Sequence, residues 1–236
     1  MQALLRHLAS TGFRGSPRVI GDGVDDEGRE HLSYIEGEPV HPNAWSDDGI
    51  AELGRLVREL HDAAIDFVPP PDATWQPWFT RADAASGGDA VFGHGDLGPW
   101  NIVARDGKPV GFVDWEFAGP VDRLAEVAQV AWLNAQLHDD DIAARNQLPS
   151  AEQRARQLRL FVDAYGLTPE ERAELVTRMV DHAVRDAGNE LRQAGGLKMS
   201  KAPTRPDDPG WAIAWRIRSA AWLVEHRAML EAALVG

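Results

Sequence analysis

The residues that could do chemistry lie between Gly93 and Glu116. The run is Gly93-His94-Gly95-Asp96-Leu97-Gly98-Pro99-Trp100-Asn101-Ile102-Val103, then Asp106-Gly107, then a second apolar run ending in Asp114-Trp115-Glu116. Asp106-Gly107 between two apolar runs is a strong hairpin-turn signal. Symmetric closure there sets Asn101 opposite Phe112. Side chains repeat every second residue along a strand, so Asp114 falls on the same face. An amide oxygen and a carboxylate thus meet at the open end of one hairpin. Asp96 lies ahead of them, in a loop held by Gly95, Gly98 and Pro99. Oxygen donors converging in this way suit a hard cation such as Mg²⁺, and the loop keeps one carboxylate free to act as a base. Each residue alone is an ordinary turn or strand-end residue; the spacing of the three together singles them out.

The elements that must position these residues follow from periodicity and turn chemistry. Residues 2–12 form a short amphipathic helix closed by Gly12. A strand from Pro17 and a second over 31–35, joined across the acidic turn from Asp22 to Gly28, predict a hairpin with a long loop. Trp45-Ser46-Asp47-Asp48 starts a helix over about 47–65, with Ile50, Leu53, Leu56, Val57 and Leu60 at helical spacing. Val68 to Asp72 is a stiff break, and the stretch to Gly88 is loop-rich. Residues 90–117 form a second β region, followed by helices over roughly 121–137, 150–165, 168–194 and 210–233. Strand pair, helix, strand cluster, then helices is an α+β order without alternating βαβ units.

His-x-Asp, four residues, Asn, then an Asp beyond a hairpin resembles the catalytic loop and metal-binding Asp of protein kinases. Here His94-Gly95-Asp96 stands for His-Arg-Asp, and Asp114-Trp115-Glu116 for Asp-Phe-Gly. These variants resemble the aminoglycoside phosphotransferase family, kinase-like enzymes that phosphorylate small molecules, and more narrowly its trifolitoxin-immunity-like branch. Residues 28–38, Leu60-His61-Asp62 and Asp163-Ala164-Tyr165-Gly166-Leu167 support that likeness.

The resemblance implies a protein-kinase-like α+β fold. A truncated small β lobe and hinge would occupy 1–40, and a mainly helical C-terminal lobe with the catalytic loop 41–236. It implies ATP or GTP and Mg²⁺ as cofactors, and a small-molecule hydroxyl as acceptor, with an aminoglycoside-like antibiotic as one such acceptor. Asp96 would be the catalytic base or hydroxyl-orienting group, Asn101 and Asp114 the metal ligands, and His94 a structural loop residue. Ser33, Tyr34, Ile35 and Glu36 would form the hinge that meets adenine. Glu126, in Arg123-Leu124-Ala125-Glu126, stands where the family more often has Asp.

Kinase-like enzymes hold the phosphates with a glycine-rich strand–turn–strand and a strand lysine. No Gly-x-Gly precedes residue 12 and no lysine precedes Lys108. Weaker phosphate positioning is the expectation. It favours a second reading from a different class: a catalytically impaired kinase-like binding or immunity protein that sequesters a small molecule or peptide.

Composition narrows the field. The 236 residues carry 24 basic and 37 acidic side chains, a net charge of −13, which disfavours nucleic acid as a partner. There is no cysteine, so disulfides, thiolate zinc sites, iron–sulfur clusters and cysteine nucleophiles are excluded. No His-Glu-x-x-His or Gly-x-Ser-x-Gly spacing supports a zinc or serine hydrolase. No stretch approaches the roughly 18–20 apolar residues of a membrane helix, and the N-terminus lacks a signal-peptide core, so a soluble cytoplasmic protein without a membrane partner is expected. Three further clusters have two readings each. His138-Asp139-Asp140-Asp141 reads as an acidic helix end or loop before a metal cluster. Trp211, Trp215 and Trp222 read as a core stripe before a cleft wall. Asp181, Asp186, Glu190, Asp207 and Asp208 read as a solvated face before an attractor for an amine.

Overall fold

The computed structural model describes residues 1–81, 90–193 and 209–235. Helix α1 (Gln2–Ser10) buries Leu4, Leu5 and Leu8 on one face. Strands β1 (Val19–Val24) and β2 (Glu30–Leu32) pair antiparallel with an irregular register. Their loop is tighter than the expected one. Asp25 Oδ1 accepts the N–H groups of Glu27 and Arg29 and closes it within a few residues. Two residues of β3 (Glu38–Pro39), absent from the sequence expectation, pair with β5 (Ile102–Arg105), which in turn pairs with β6 (Lys108–Phe112). Strand β4 (Ala90–Gly93) pairs with β7 (Gly119–Asp122), a partner the sequence reading also missed.

Helix α2 (Asp47–Ala64) begins at Ser46, whose hydroxyl accepts the Gly49 N–H, and buries Ile50, Leu53, Val57 and Leu60. Asp122 caps α3 (Arg123–Asn134) in the same way through the Ala125 N–H. Nearly every residue of α3 is buried, which makes it the axis of the helical part. Around it lie α5 (Ala151–Tyr165), α6 (Pro169–Gln193) and α7 (Pro209–Glu225), with α8 (Arg227–Val235) continuing where one last helix was expected. Helix α4 (Asp140–Arg145) fills a stretch expected as loop. The acidic run before it is a helix start: Asp139 caps the Ile142 N–H, and Asp139 and Asp141 both pair with Arg218. The elements make an α+β fold with three small antiparallel sheets. Among the described residues no helix is long and apolar enough to cross a membrane.

One correction concerns the hairpin that frames the site. Asp106 and Gly107 both take positive φ, as the turn signal requires. The symmetric register holds for Arg105 with Lys108 and Ala104 with Pro109, then slips by one, so Phe112 faces Ile102 and not Asn101. The slip follows Pro109, which has no N–H for the ladder, and leaves Val110 as the extra residue of a bulge. Asn101 instead accepts the Val113 N–H through its carbonyl, at 3.0 Å.

Candidate active site

The chain leaves β4 at Gly93 and enters a loop fixed at each step. His94 is fully buried; its Nε2 lies 2.8 Å from the Val113 carbonyl, and its Nδ1 accepts the Asp96 N–H at 3.3 Å. Burial lowers its pKa below the ordinary histidine value, which keeps the ring neutral, with the proton on Nε2. His94 therefore straps the loop to the residue just before Asp114. Gly95 takes φ +85°, and a Cβ there would collide with the Phe117 carbonyl, so only glycine fits.

Asp96 is held from both sides. Gln129 Nε2 donates to Oδ1 at 3.2 Å, and Asn101 Nδ2 donates to Oδ2 at 3.2 Å and to the Asp96 carbonyl at 2.9 Å. Asn101 ends a single 3₁₀ turn, Pro99–Asn101, whose fixed proline aims the amide inward. Asp114 adopts the left-handed region at φ 62°, ψ 63°, costing a non-glycine residue about 1–3 kcal/mol. Its neighbours impose this: Val113 is tied to Asn101, and buried Trp115 donates Nε1–H to the Phe112 carbonyl at 2.8 Å. Asn101 and Asp114 thus reach the mouth of the hairpin through a turn and a strained residue, not through strand alternation.

The expected hinge residues are divided. Ser33 is committed to the β1–β2 hairpin, donating its N–H to the Arg18 carbonyl and accepting the Arg18 N–H at its hydroxyl. Glu36 gives its carbonyl to Arg105 at 3.0 Å. Ile35 packs on β6 at Gly111, and Tyr34 is 82% exposed.

Sequence reasoning named Glu126, His61 and Tyr165 only within family-like motifs and gave them no place behind the loop. Glu126, on α3, is fully buried and accepts the Gly95 N–H at Oε1, 2.5 Å away. Its Oε2 lies 2.6 Å from His61 Nε2, and His61 Nδ1 lies 2.7 Å from the Tyr165 hydroxyl. Arg123 donates to that hydroxyl at 3.3 Å and pairs with Glu171. With Arg123 donating to Tyr165, the tyrosine proton goes to Nδ1 and the His61 Nε2–H to Glu126. Burial pushes the Glu126 carboxyl up, but the hydrogen bonds from His61 and the Gly95 N–H outweigh it and leave the pKa lowered. One signal for this network was in the sequence: His61 continues the buried stripe of Val57 and Leu60 on α2, and a histidine there needs partners.

Charge is concentrated at Asp96. Burial, then Asp186 and Asp114, push its pKa up to about 7, against the pull of Arg216 and the Gln129 hydrogen bond. Asp186 is buried and ion-paired to Arg216 at 2.5 Å, which corrects the solvated-face reading for that residue. Glu190 pairs with the same guanidinium at 3.3 Å; Asp207 and Asp208 lie outside the described residues. The tryptophan stripe also divides. Trp222 is buried in the core, whereas Trp211 and Trp215 line a cavity of about 430 Å³ beside Trp100.

Behind the site, His182 is buried edge-on to Phe79, and burial, Arg185 and Arg216 bring its pKa down to about 3. Unfolded histidine titrates near 6.5, so below that pH the unfolded chain binds a proton that the folded chain refuses. The stability His182 contributes is present above pH 6.5 and lost as pH falls toward 3. Asp96 and Asp186, both raised, act in the opposite sense, so a variant isolates the histidine. From pH 7 to pH 5, His182→Phe is expected to lose about 2 kcal/mol less unfolding free energy than the parent chain. Urea titrations at the two pH values measure this; equal losses would show that His182 is protonated in the folded state.

Comparison with known proteins places this geometry. A family model described as the phosphotransferase enzyme family, APH, matches residues 71–175, which contain the whole loop and both Asp96 and Asp114. A trifolitoxin immunity protein of Rhizobium leguminosarum bv. trifolii is 49% identical over 232 residues, 98% of this chain and 87% of that protein. Among solved structures, a choline/ethanolamine kinase family protein from Mesorhizobium loti superposes with TM-score 0.59 at 17% identity, covering 99% of this chain and 82% of that one. A macrolide 2′-phosphotransferase from Brachybacterium faecium gives 0.52 at 18% identity, covering 94% and 78%. The structural likeness establishes the kinase-like fold, as the loop spacing implied. With a half-identical relative along nearly its whole length and a family match over residues 71–175, the chain belongs to the APH family of phosphotransferase enzymes.

Proposed function

We propose that this protein transfers the terminal phosphoryl group of ATP or GTP, with Mg²⁺, to a hydroxyl of a small molecule in the cytoplasm. The observation that carries the reading is a loop in which Asp96 is held by two amides, one of them from Asn101, with the charge of Asp114 near enough to act on its carboxyl. The donor set fits the cation. Asn101 spends its Nδ2 on Asp96, which leaves Oδ1 as its other end, and Asp114 is an exposed carboxylate with no resolved hydrogen bond. All-oxygen donors suit Mg²⁺, which takes few protein ligands and completes its shell with phosphates and water. Among the described residues there is no group of three or more His, Cys, Asp or Glu that could hold a metal ion. Bound there, Mg²⁺ would neutralise charge developing on the transferring phosphoryl group.

The chain's own groups do the rest. Asp96 orients the acceptor hydroxyl and takes its proton. A carboxyl with a pKa near the working pH is poised for that, and a cation at Asp114 would draw the value down toward the charged form. Gln129 and Asn101, one on each oxygen, fix the orientation of the carboxyl plane. Residues 33–36, in residues 1–40 as the small lobe and hinge, would meet the purine through the backbone groups that Ser33 and Glu36 leave unspent. Residues 41–236 would form the larger lobe.

A second reading has one specific observation behind it. The half-identical relative is named for immunity, and immunity can be given by sequestering a toxic small molecule or peptide without catalysis. Calorimetry of ATP with and without Mg²⁺, on the parent chain and Asp114→Ala, separates the two. Mg²⁺-dependent binding at micromolar to low-millimolar ATP, weakened at least about tenfold by Asp114→Ala, is the expected result. No ATP binding at several millimolar would overturn the phosphotransferase reading in favour of sequestration.

A further inference from the structure

We infer that the cavity between the catalytic loop and helices α4 and α7 is the acceptor site, and that it takes a planar hydroxyl compound bearing an anionic group rather than a polycation. The inference deepens the phosphotransferase reading and rests on it for what happens to the hydroxyl. The binding chemistry belongs to the pocket alone.

The cavity, about 430 Å³, is of small-ligand size, and its wall is aromatic: His41, Trp100, His138, Trp211 and Trp215, with Arg145 at one side. It is tied to Asp96 by shared elements. Trp100 belongs to the turn that ends in Asn101. Trp215 stacks on Trp132 at 5.6 Å, and Trp132 lies one turn of α3 beyond Gln129, whose amide holds Asp96. Arg216, next along α7, pairs with Asp186, which bears on the same carboxyl. Part of the wall thus adjoins the turn and the helix that hold Asp96 through Asn101 and Gln129.

The charge in the pocket decides the ligand class. No carboxylate lines it among the described residues. His41 and His138 are both held below the ordinary histidine range by burial, and so are uncharged at neutral pH. One charge is left: Arg145, whose guanidinium lies 4.8 Å over the Trp211 ring and has no acidic partner among the described residues. The acids of its own helix are engaged elsewhere, Asp141 with Arg218 and Asp140 with the Trp222 Nε1–H. The ammonium groups of an aminoglycoside would meet a like charge and, among the described residues, no counter-charge in the lining. A carboxylate or phosphate would meet a planar guanidinium, and a flat ring would lie against indole.

The test is calorimetry on the full chain with three probes: 4-hydroxyphenylacetate, tyramine, which has the same ring with an ammonium, and kanamycin. The acid is expected to bind at least about tenfold tighter than the amine, and kanamycin not at all. Arg145→Gln, at an exposed position that leaves folding intact, should abolish the preference for the acid over the amine. Trp211→Ala should weaken both ring compounds about tenfold or less. Kanamycin binding tighter than the acid, an unchanged acid-to-amine ratio in Arg145→Gln, or no probe bound at about 10 mM would each overturn the assignment. ATP with Mg²⁺ is titrated into the same samples. Nucleotide binding without probe binding sinks the pocket assignment alone; probe binding without nucleotide binding sinks the phosphotransferase reading and leaves the pocket standing.

Discussion

Asp96→Asn is expected to slow acceptor-dependent ADP release by roughly 10²–10⁴-fold while ATP·Mg²⁺ binding stays within about threefold, because a positioned base contributes that much to proton transfer and little to nucleotide affinity. The same substitution should make the protein more stable above neutral pH. Burial and the nearby carboxylates of Asp186 and Asp114 raise the Asp96 pKa to about 7. A raised carboxyl holds its proton in the folded state when the unfolded chain has lost it. Its contribution to stability is complete below an unfolded pKa near 3.9 and disappears as pH rises through 7. Asparagine has nothing to lose over that range, so the urea midpoint of the variant should gain on the parent between pH 5 and pH 8. Inactive and more stable together is the signature of a group kept for chemistry at a cost to the fold. Turnover within about threefold of the parent would remove Asp96 from the proton-accepting role.

The helical framework was legible because its signals are local. Ser46 caps α2 and Ile50, Leu53, Val57 and Leu60 repeat within a few turns, so both boundary and face follow from neighbouring residues. Ser150 with Gln153 starts α5 as a capping box, and Gly166 ends it at φ 86°. Strands β3 and β7 were not legible. Each is short, and each exists only through a partner far along the chain, Glu38 with Ala104 and Ala90 with Asp122. Spacing singles out Asp96, Asn101 and Asp114, yet the strand-alternation geometry offered for them does not hold. A bulge after Pro109 shifts the hairpin, and a 3₁₀ turn and a left-handed residue bring the side chains round instead. The supports behind the loop, Glu126, His61, Tyr165 and Gln129, were harder still. Their bonds span 31 to 104 residues, and no local pattern marks which buried polar side chain meets which.

Glu126→Ala is expected to destabilise the protein by about 3–5 kcal/mol, the usual cost of removing one partner from a buried charged network. It strands the His61 Nε2–H and the Gly95 N–H, and it empties space that Gly93 leaves open, since a Cβ at Gly93 would collide with the Glu126 carboxylate. Lost stability alone does not show that Glu126 positions the catalytic loop. Amide exchange at Gly95 does, because a purely structural loss would raise exchange evenly, whereas a released loop raises it at Gly95 beyond the global change. Glu126→Gln sharpens the point. Its amide oxygen can still accept from Gly95, but its N–H meets the His61 Nε2–H, and relieving that conflict moves the His61 proton to Nδ1, against Tyr165. Gly95 protection should therefore return while much of the stability does not, and kcat should recover further than the urea midpoint. The pH dependence carries the same logic. The Glu126 pKa is lowered on folding, so the stability it adds is present above the unfolded value near 4.3 and lost as pH falls through the lower folded one. The gap between the parent and Glu126→Gln should narrow below about pH 4. A gap constant with pH would mean that the mismatched hydrogen bond to His61, and not the negative charge of Glu126, accounts for the difference between the two.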